Sequence, residues 1–291
     1  MRCGHDILKR ATGDCETTVH SSDLALVEDI SASAETSPSG VETAFRILLP
    51  YFGFFALSVG DRRLLCDPNQ TLFLSPGLEC RTDHPVDGLG HAALVITPSM
   101  ELLCDMLHGL RPRGSVAFME IARPSTSRLA LLTHRLRSLP RECDGSLYAD
   151  ELTVQLLHKA LEAPSRGDRS SLLVDRAKQL LSEQDCDRHS LQEIARQVGA
   201  SAVYLTQEFS RSEGIPLYKY QLRLRLKRAL LELPHCDDIT GLALDLGFSS
   251  HSHFTAMFRS AFGMTPSAYR SSTSAESAGA ISWFVRPRAA A

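Results

Sequence analysis

Two textures of hydrophobic patterning divide the chain. From residue 45 onward, short apolar runs alternate with turn residues. The runs 45–49, 54–59, 62–66, 71–74 and 91–96 all have strand length. Gly60-Asp61 is a two-residue hairpin signal, and Asp67-Pro68-Asn69 and Ser75-Pro76-Gly77 are turns built on proline's fixed φ and on residues that tolerate positive φ. Closely spaced short strands predict a sandwich or small barrel rather than alternating strand–helix units. Helical spacing then takes over. Thr97-Pro98 predicts a helix start running to about His108, and the segments 125–139 and 147–161 predict two more helices. Residues 163–168 (Ala-Pro-Ser-Arg-Gly-Asp) have linker composition, which predicts a domain boundary there.

Beyond the linker the pattern is helical and repeats itself. Ser190 with Glu193 forms a capping box, Leu191, Ile194, Ala195 and Val198 share one face, Gly199 ends the helix, and a second helix from Ala202 to Arg211 turns Leu205 and Phe209 inward. The same grammar returns about 49 residues later. Asp238 caps a helix carrying Ile239, Leu242, Ala243 and Leu246, Gly247 ends it, and residues 251–262 bury Phe254 and Phe258. Each unit closes on a glycine with a proline shortly beyond it, at Gly214 and Pro216 and again at Gly263 and Pro266. These are two helix-turn-helix units. Between them, residues 217–233 predict one long helix bearing Lys219, Arg223, Arg225, Lys227 and Arg228 against the single acid Glu232.

Charge changes the picture only locally. The 291-residue chain carries a net charge of −3. Residues 170–272 hold 12 Lys and Arg against 11 Asp and Glu, so nucleic-acid binding must rest on local clustering. With 43% hydrophobic and 22% charged residues, a wholly disordered chain is excluded. The charged first ten residues do not predict a signal peptide. Stretch 47–60, interrupted by Pro50 and Gly53, is not expected to cross a membrane, and the eight cysteines are expected to be reduced thiols in a cytoplasmic protein. Cys104 and His108 stand one helical turn apart, and Cys66, Cys80, His84 and His91 lie on neighbouring strands. Without a CxxC or a paired HxH in that domain these predict buried thiols and incidental histidines, not a metal site.

The C-terminal region 172–270 resembles the AraC/XylS family of bacterial transcription regulators. The residues that carry the resemblance include Ile194-Ala195, Gly199, Ser201, Tyr204-Leu205, Phe209, Gly214, Pro216, Tyr220, Arg223-Leu224-Arg225 and Arg228-Ala229. Ala243, Leu246-Gly247-Phe248, Ser250, Ser252-His253-Phe254, Phe258-Arg259, Phe262-Gly263, Pro266 and Tyr269-Arg270 complete the set. More weakly, the stretch 45–85 resembles the cupin-like regulatory domains attached to such domains. The implied fold is α+β: a cupin-like β-barrel or sandwich with helices, then an all-α domain of two helix-turn-helix subdomains joined by a long helix. The implied organisation is a flexible segment 1–40, a regulatory domain 41–165, a DNA-binding domain 170–272 and a flexible tail 273–291.

The expected function is sequence-specific DNA binding that regulates transcription under a small-molecule effector at the N-terminal domain, with activator and repressor both left open. The alternative is a cupin-like sensor or enzyme whose helical domain has weak DNA affinity. Neither catalytic residues, metal nor cofactor is expected. The partners expected are double-stranded promoter DNA, RNA polymerase and an effector, with homodimerisation admitted and membrane contact excluded. Base-reading candidates are Ala202, Val203, Thr206, Gln207 and Ser210 in the first recognition helix and His251, Ser252, Thr255, Ala256 and Arg259 in the second, with Arg225 and Lys227 of the long helix as phosphate contacts. His253 is expected to be structural or phosphate-facing. Members of the family usually carry Arg where this chain has Gln207 and Ala256, and Lys where it has Ser210, so either an unusual recognised sequence or a lower non-specific affinity is expected.

Overall fold

A computed structural model describes residues 15–32, 39–85, 90–108, 120–139, 147–162, 171–183 and 190–274. The N-terminal part contains β1 (Cys15–Ser21), β2 (Ala25–Ala32), β3 (Gly40–Val41), β4 (Arg46–Gly53), β5 (Phe55–Val59), β6 (Arg62–Cys66), β7 (Gln70–Leu74), β8 (Glu79–Asp83), β9 (His91–Pro98) and β10 (Ala122–Pro124), with helices α1 (Met100–His108), α2 (Ser127–Arg137) and α3 (Leu147–Glu162). The strands form a six-stranded sheet in the order β1-β2-β9-β4-β7-β10 and a four-stranded sheet β3-β8-β5-β6, every pair antiparallel. The barrel-or-sandwich expectation resolves to two separate sheets without closure into a barrel.

The six-stranded sheet is a middle layer. Ile47, Leu49, Leu94 and Ile96 face α2 and α3, while Leu48, Ala93 and Val95 face the four-stranded sheet. Burial on both faces explains why β9 reads as a continuous apolar run rather than an alternating one. Pro50 sits next to a shift in the β4–β9 register, where a missing N–H is tolerated. Gly53 has φ 81°, and a side chain there would meet the Gly90 carbonyl at 2.0 Å, so only glycine lets the two chains approach.

Three expectations need correction. The segment 1–40 was expected to be flexible, yet residues 15–32 form β1 and β2, and Val27 and Ile30 are buried. Thr97 and Pro98 do not start a helix. They end β9, paired with Leu26 and Ala25, and Ser99 caps α1 instead, its Oγ accepting from Leu102 N at 3.2 Å. The C-terminal helix runs on to Ser274, past the expected domain end at 272. The linker 163–168, the glycine at 109 and the segment 275–291 lie outside the described residues.

The described residues of the C-terminal part form helices: α4 (Leu172–Glu183), α5 (Leu191–Gln197), α6 (Ala202–Glu213), α7 (Leu217–Glu232), a 3₁₀ turn (Leu233–His235), α8 (Ile239–Asp245), α9 (His251–Phe262) and α10 (Pro266–Ser274). Helices α5–α6 and α8–α9 are the two helix-turn-helix units. Val174, Ile194, Leu205 and Phe209 make the first core, which Leu217 and Tyr220 of α7 close. Phe248, Phe254, Phe258 and Tyr269 make the second, closed by Leu226, Ala229 and Leu230 from the other end of the same helix. The two clusters share no residue.

Phe209 is fully buried and Tyr204 is 56% exposed. Phe209→Ala is therefore expected to lower the free energy of unfolding by about 3–5 kcal/mol. Tyr204→Ala is expected to change it by no more than about 0.5 kcal/mol. Chemical denaturation of both variants checks this ordering.

Candidate nucleic-acid interface

Local capping sets the geometry of each unit. In the first, Ser190 Oγ accepts from Glu193 N at 3.2 Å while Ser190 N donates to Glu193 Oε2 at 2.7 Å, closing the expected capping box. Gly199, at φ 73°, reverses the chain, and Ala200 N donates back to Ala195 O at 2.9 Å. Ser201 then caps α6 through Tyr204 N at 3.2 Å. The second unit repeats this closure. Asp238 caps α8 through Thr240 N, Gly247 has φ 76°, Phe248 N donates to Ala243 O at 2.9 Å, and Ser250 caps α9 through His253 N at 3.1 Å. The positive φ at both turns is what a residue with Cβ resists. The second turn, 247–250, is one residue longer than 199–201. Exposed His253 lies beside it: its Nδ1 lies 3.0 Å from Ser249 Oγ, and its ring meets Phe248 edge-on.

With the inner faces committed to the cores, the outer faces of α6 and α9 are open. Val203 is 68% exposed, and Gln207 is exposed one turn further on. On α9, His251, Ser252, Ala256 and Arg259 are exposed. The stripes 203–207 and 252–256–259 follow helical spacing and place these candidates together on each helix. The remaining candidates sit deeper. Ala202 and Ser210 are half-buried, Thr206 donates its hydroxyl to Ala202 O at 2.8 Å, and Thr255 is half-buried with its hydroxyl oxygen turned inward. Tyr204, exposed beside Val203, was not among the candidates. Its place one residue before buried Leu205 and one after Val203 was the signal available.

Charge on α6 is muted. Arg211 Nη2 reaches both oxygens of Glu208 at 2.8 Å, an exposed ion pair one turn apart that partly offsets its positive charge. Arg196, Lys219 and Arg259 are exposed cations of the same domain.

The expected phosphate-contacting pair on α7 divides. Arg225 is half-buried, and its guanidinium donates to Gly247 O at 3.1 Å, which ties α7 to the second turn. Lys227 is buried, and its ammonium donates to Pro68 O of the N-terminal domain at 2.5 Å. It cannot reach a phosphate from there. Burial, with a contribution from Arg223, pulls its pKa down to about 7 against the opposing effect of Asp67.

Lys227 belongs to a polar joint between the domains. Asn69 Nδ2 donates to Tyr220 O at 3.3 Å, and the Tyr220 hydroxyl donates to Asp67. Lys178 of α4 is buried against Glu213 at 3.0 Å and near Leu65 O at 3.5 Å. Burial works against the Lys178 charge, but Glu213 and Asp67 outweigh it and raise its pKa. A narrow cleft of about 20 Å³ beside the joint is lined by residues including Tyr51, His134, Arg137, Lys227 and Leu230, room for about one water.

Cys66 and Cys80 are buried in the core between the sheets, and His84 Nε2 lies 2.8 Å from His91 Nδ1. Among the described residues no group of three or more His, Cys, Asp or Glu side chains could hold a metal ion, and no helix is long and apolar enough to cross a membrane.

Residues 194–272 match the model of a helix-turn-helix domain family. A Staphylococcus aureus HTH-type transcriptional regulator is 30% identical over 133 residues, covering 43% of this chain and 18% of the relative. The transcriptional activator RhaR of Klebsiella pneumoniae is 28% identical over 137 residues, covering 45% of this chain and 48% of the relative. The chain thus spans under a fifth of the first relative and about half of the second. Among solved structures, an AraC-type regulator from Chromobacterium violaceum is 31% identical over 37% of this chain and 95% of its own, with a TM-score of 0.33. ToxT of Vibrio cholerae is 13% identical over 85% of this chain and 95% of its own, with a TM-score of 0.35.

Burying a lysine whose pKa falls to about 7 disfavours folding below that pH, where the folded protein must hold the charge. As pH rises from about 7 towards 10.5 the unfolded chain binds the extra proton, so stability should rise. The stability of the wild-type chain relative to Lys227→Met is therefore expected to improve between pH 6 and pH 9. Thermal melting of both proteins across that range checks it, and a constant difference would contradict it.

Proposed function

Residues 194–272 form an AraC-type helix-turn-helix domain, and from this premise we propose that the chain binds double-stranded DNA sequence-specifically through two recognition helices and so regulates transcription. The observation that carries the reading is the pair of exposed stripes, Val203 with Gln207 on α6 and Ser252, Ala256 and Arg259 on α9, each on a helix whose other face is locked into its own core. Recognition helices of this kind lie in the major groove with base edges in reach of their outer side chains. Gln207 can donate and accept together at adenine N6 and N7, Val203 suits a thymine methyl, and Arg259 suits guanine or phosphate. Exposed Arg196, Lys219 and Arg259 supply the salt-dependent share of the affinity in place of Lys227.

The N-terminal sheets are the regulatory part in this reading, responding to a small-molecule effector and presenting the DNA-bound protein to RNA polymerase in the cytoplasm, as a homodimer where paired sites demand one. The muted charge of α6, with Arg211 tied to Glu208, favours keeping a second reading in view, a sensor with weak DNA affinity. A site selected from a randomised duplex library decides between them. The expected result is two protected major-groove segments about 34 Å apart per monomer, with affinity that falls as salt rises. No selected site, or one short protected segment, would favour the sensor.

Base reading by Gln207 has its own test. Gln207→Arg is expected to change the preferred base at one position of the selected site, by roughly 1–3 kcal/mol for a bidentate contact. Identical selected motifs from both proteins would remove Gln207 from the readout.

A further inference from the structure

The two helix-turn-helix units have separate cores and hang from opposite ends of α7. The N-terminal domain touches both, by different means. The first unit is gripped by the β6–β7 turn. Asn69 N donates to Asp67 Oδ1 at 2.7 Å, which holds the turn in shape, and the turn then binds α7 at three points: Asp67 takes the Tyr220 hydroxyl, Asn69 donates to the Tyr220 carbonyl, and Pro68 O takes Lys227. Tyr220 is itself a wall of the first core, edge-on to Phe209 at 5.2 Å. The second unit is gripped by α2. Leu131, 2% exposed, is part of the cluster that holds Phe258 and Tyr269, and the buried His134 ring meets Tyr269 edge-on at 5.4 Å.

We propose that the N-terminal domain is a two-point brace that fixes the register of the two reading units, with the 67–69 turn as its polar foot and α2 as its apolar foot. The inference rests on the reading of α6 and α9 as recognition helices. A single helix can bend and roll between the units it carries. A second connection through a rigid three-layer body closes a loop, α7 on one side and the sheets on the other, and removes that freedom. The polar foot is directional: each of its groups has one partner at one place, so a shift of the turn along α7 breaks all of them together, and their loss in a buried joint is costly. Both feet are continuous with the sheets. The turn joins Cys66 of β6 to β7, whose Leu72 and Leu74 lie in the inter-sheet core, and α2 packs on the other face of the six-stranded sheet. Any change within the sheets is therefore felt at both reading units. Two linked modules gain avidity only while geometry lets both engage, so a brace converts spacing between DNA segments into specificity.

Two measurements on the full-length chain test this, one without DNA. Probes placed at exposed Arg211 on α6 and Ser260 on α9 through non-canonical amino acids report the distance between the units. The wild-type protein is expected to give one narrow distribution, and the Asp67→Asn/Asn69→Ala variant a broad one. Tyr220→Phe, which keeps the ring in the core and removes only the hydroxyl bond, is expected to fall between them with unchanged helix content. Equal widths in all three would overturn the brace whether or not the chain binds DNA.

The second measurement uses the duplex selected by the wild-type protein and the same duplex with one base pair inserted between its segments, a change of about 3.4 Å and roughly a tenth of a turn. The insertion is expected to weaken wild-type binding by about tenfold or more, and variant binding by less than about threefold. Equal penalties, or tighter binding by the variant on the original duplex, would overturn the brace while leaving DNA recognition intact. Absence of any selected duplex would instead count against the reading of α6 and α9, with the distance measurement still deciding the brace.

Discussion

Neither pair of short helices can close a core by itself, and α7 supplies the missing wall to both. The first unit has α5 of seven residues and α6 of twelve, and its buried side chains converge on Leu217 and Tyr220. The second repeats the arrangement against Leu226, Ala229 and Leu230. One helix therefore does two jobs, completing each hydrophobic cluster and setting the distance between them. Leaving α6 and α9 with one face locked and the other open follows from this division. A recognition helix must present side chains without moving, and full burial of Phe209, Phe254 and Phe258 on the inner face holds the outer face still.

Electrostatics has a smaller part than the fold name suggests. The DNA-binding region is close to neutral, Arg211 is spent on Glu208, and Lys227 is spent on the domain joint. What remains exposed on the two stripes is short, polar or apolar: Val203, Gln207, Ser252, Ala256 and one guanidinium, Arg259. On the proposed reading such a surface would discriminate through groove fit and hydrogen-bond pattern more than through attraction to phosphate, with modest non-specific affinity.

Legibility in the sequence followed the range of the interactions. Capping is local, so Ser190 with Glu193 and Asp238 announced two helix starts, and Gly199 and Gly247 the turns; Ser201 and Ser250, placed in the turns, prove to be caps as well. Strand pairing is not local. β1 and β2 were missed because Cys15–Ser21 is a polar edge strand and Ala25–Ala32 mixes Glu28 and Asp29 with its buried residues, a pattern that makes sense only once β9 is beside it. Thr97-Pro98 misled for the same reason: a good helix start was overruled by pairing to β2. Lys227 is expected from the sequence to contact phosphate. Yet it stands seven residues after Tyr220 and three before Leu230, the spacing of the buried side of α7, and that periodicity was a usable signal. The domain joint itself left no mark in the sequence beyond the Asp67-Pro68-Asn69 turn, because its partners are some 150 positions away.

On the proposed reading both α6 and α9 read base edges from one face of the duplex. An experimental structure of the full-length chain on a selected duplex tests it most directly. The expected result has both helices in successive major-groove segments, with Val203 and Gln207 at base edges in one, Arg259 at a base edge or phosphate in the other, and Lys227 still on Pro68. A complex in which only one of the two helices enters a groove, or in which the exposed stripes face solvent, would contradict the account.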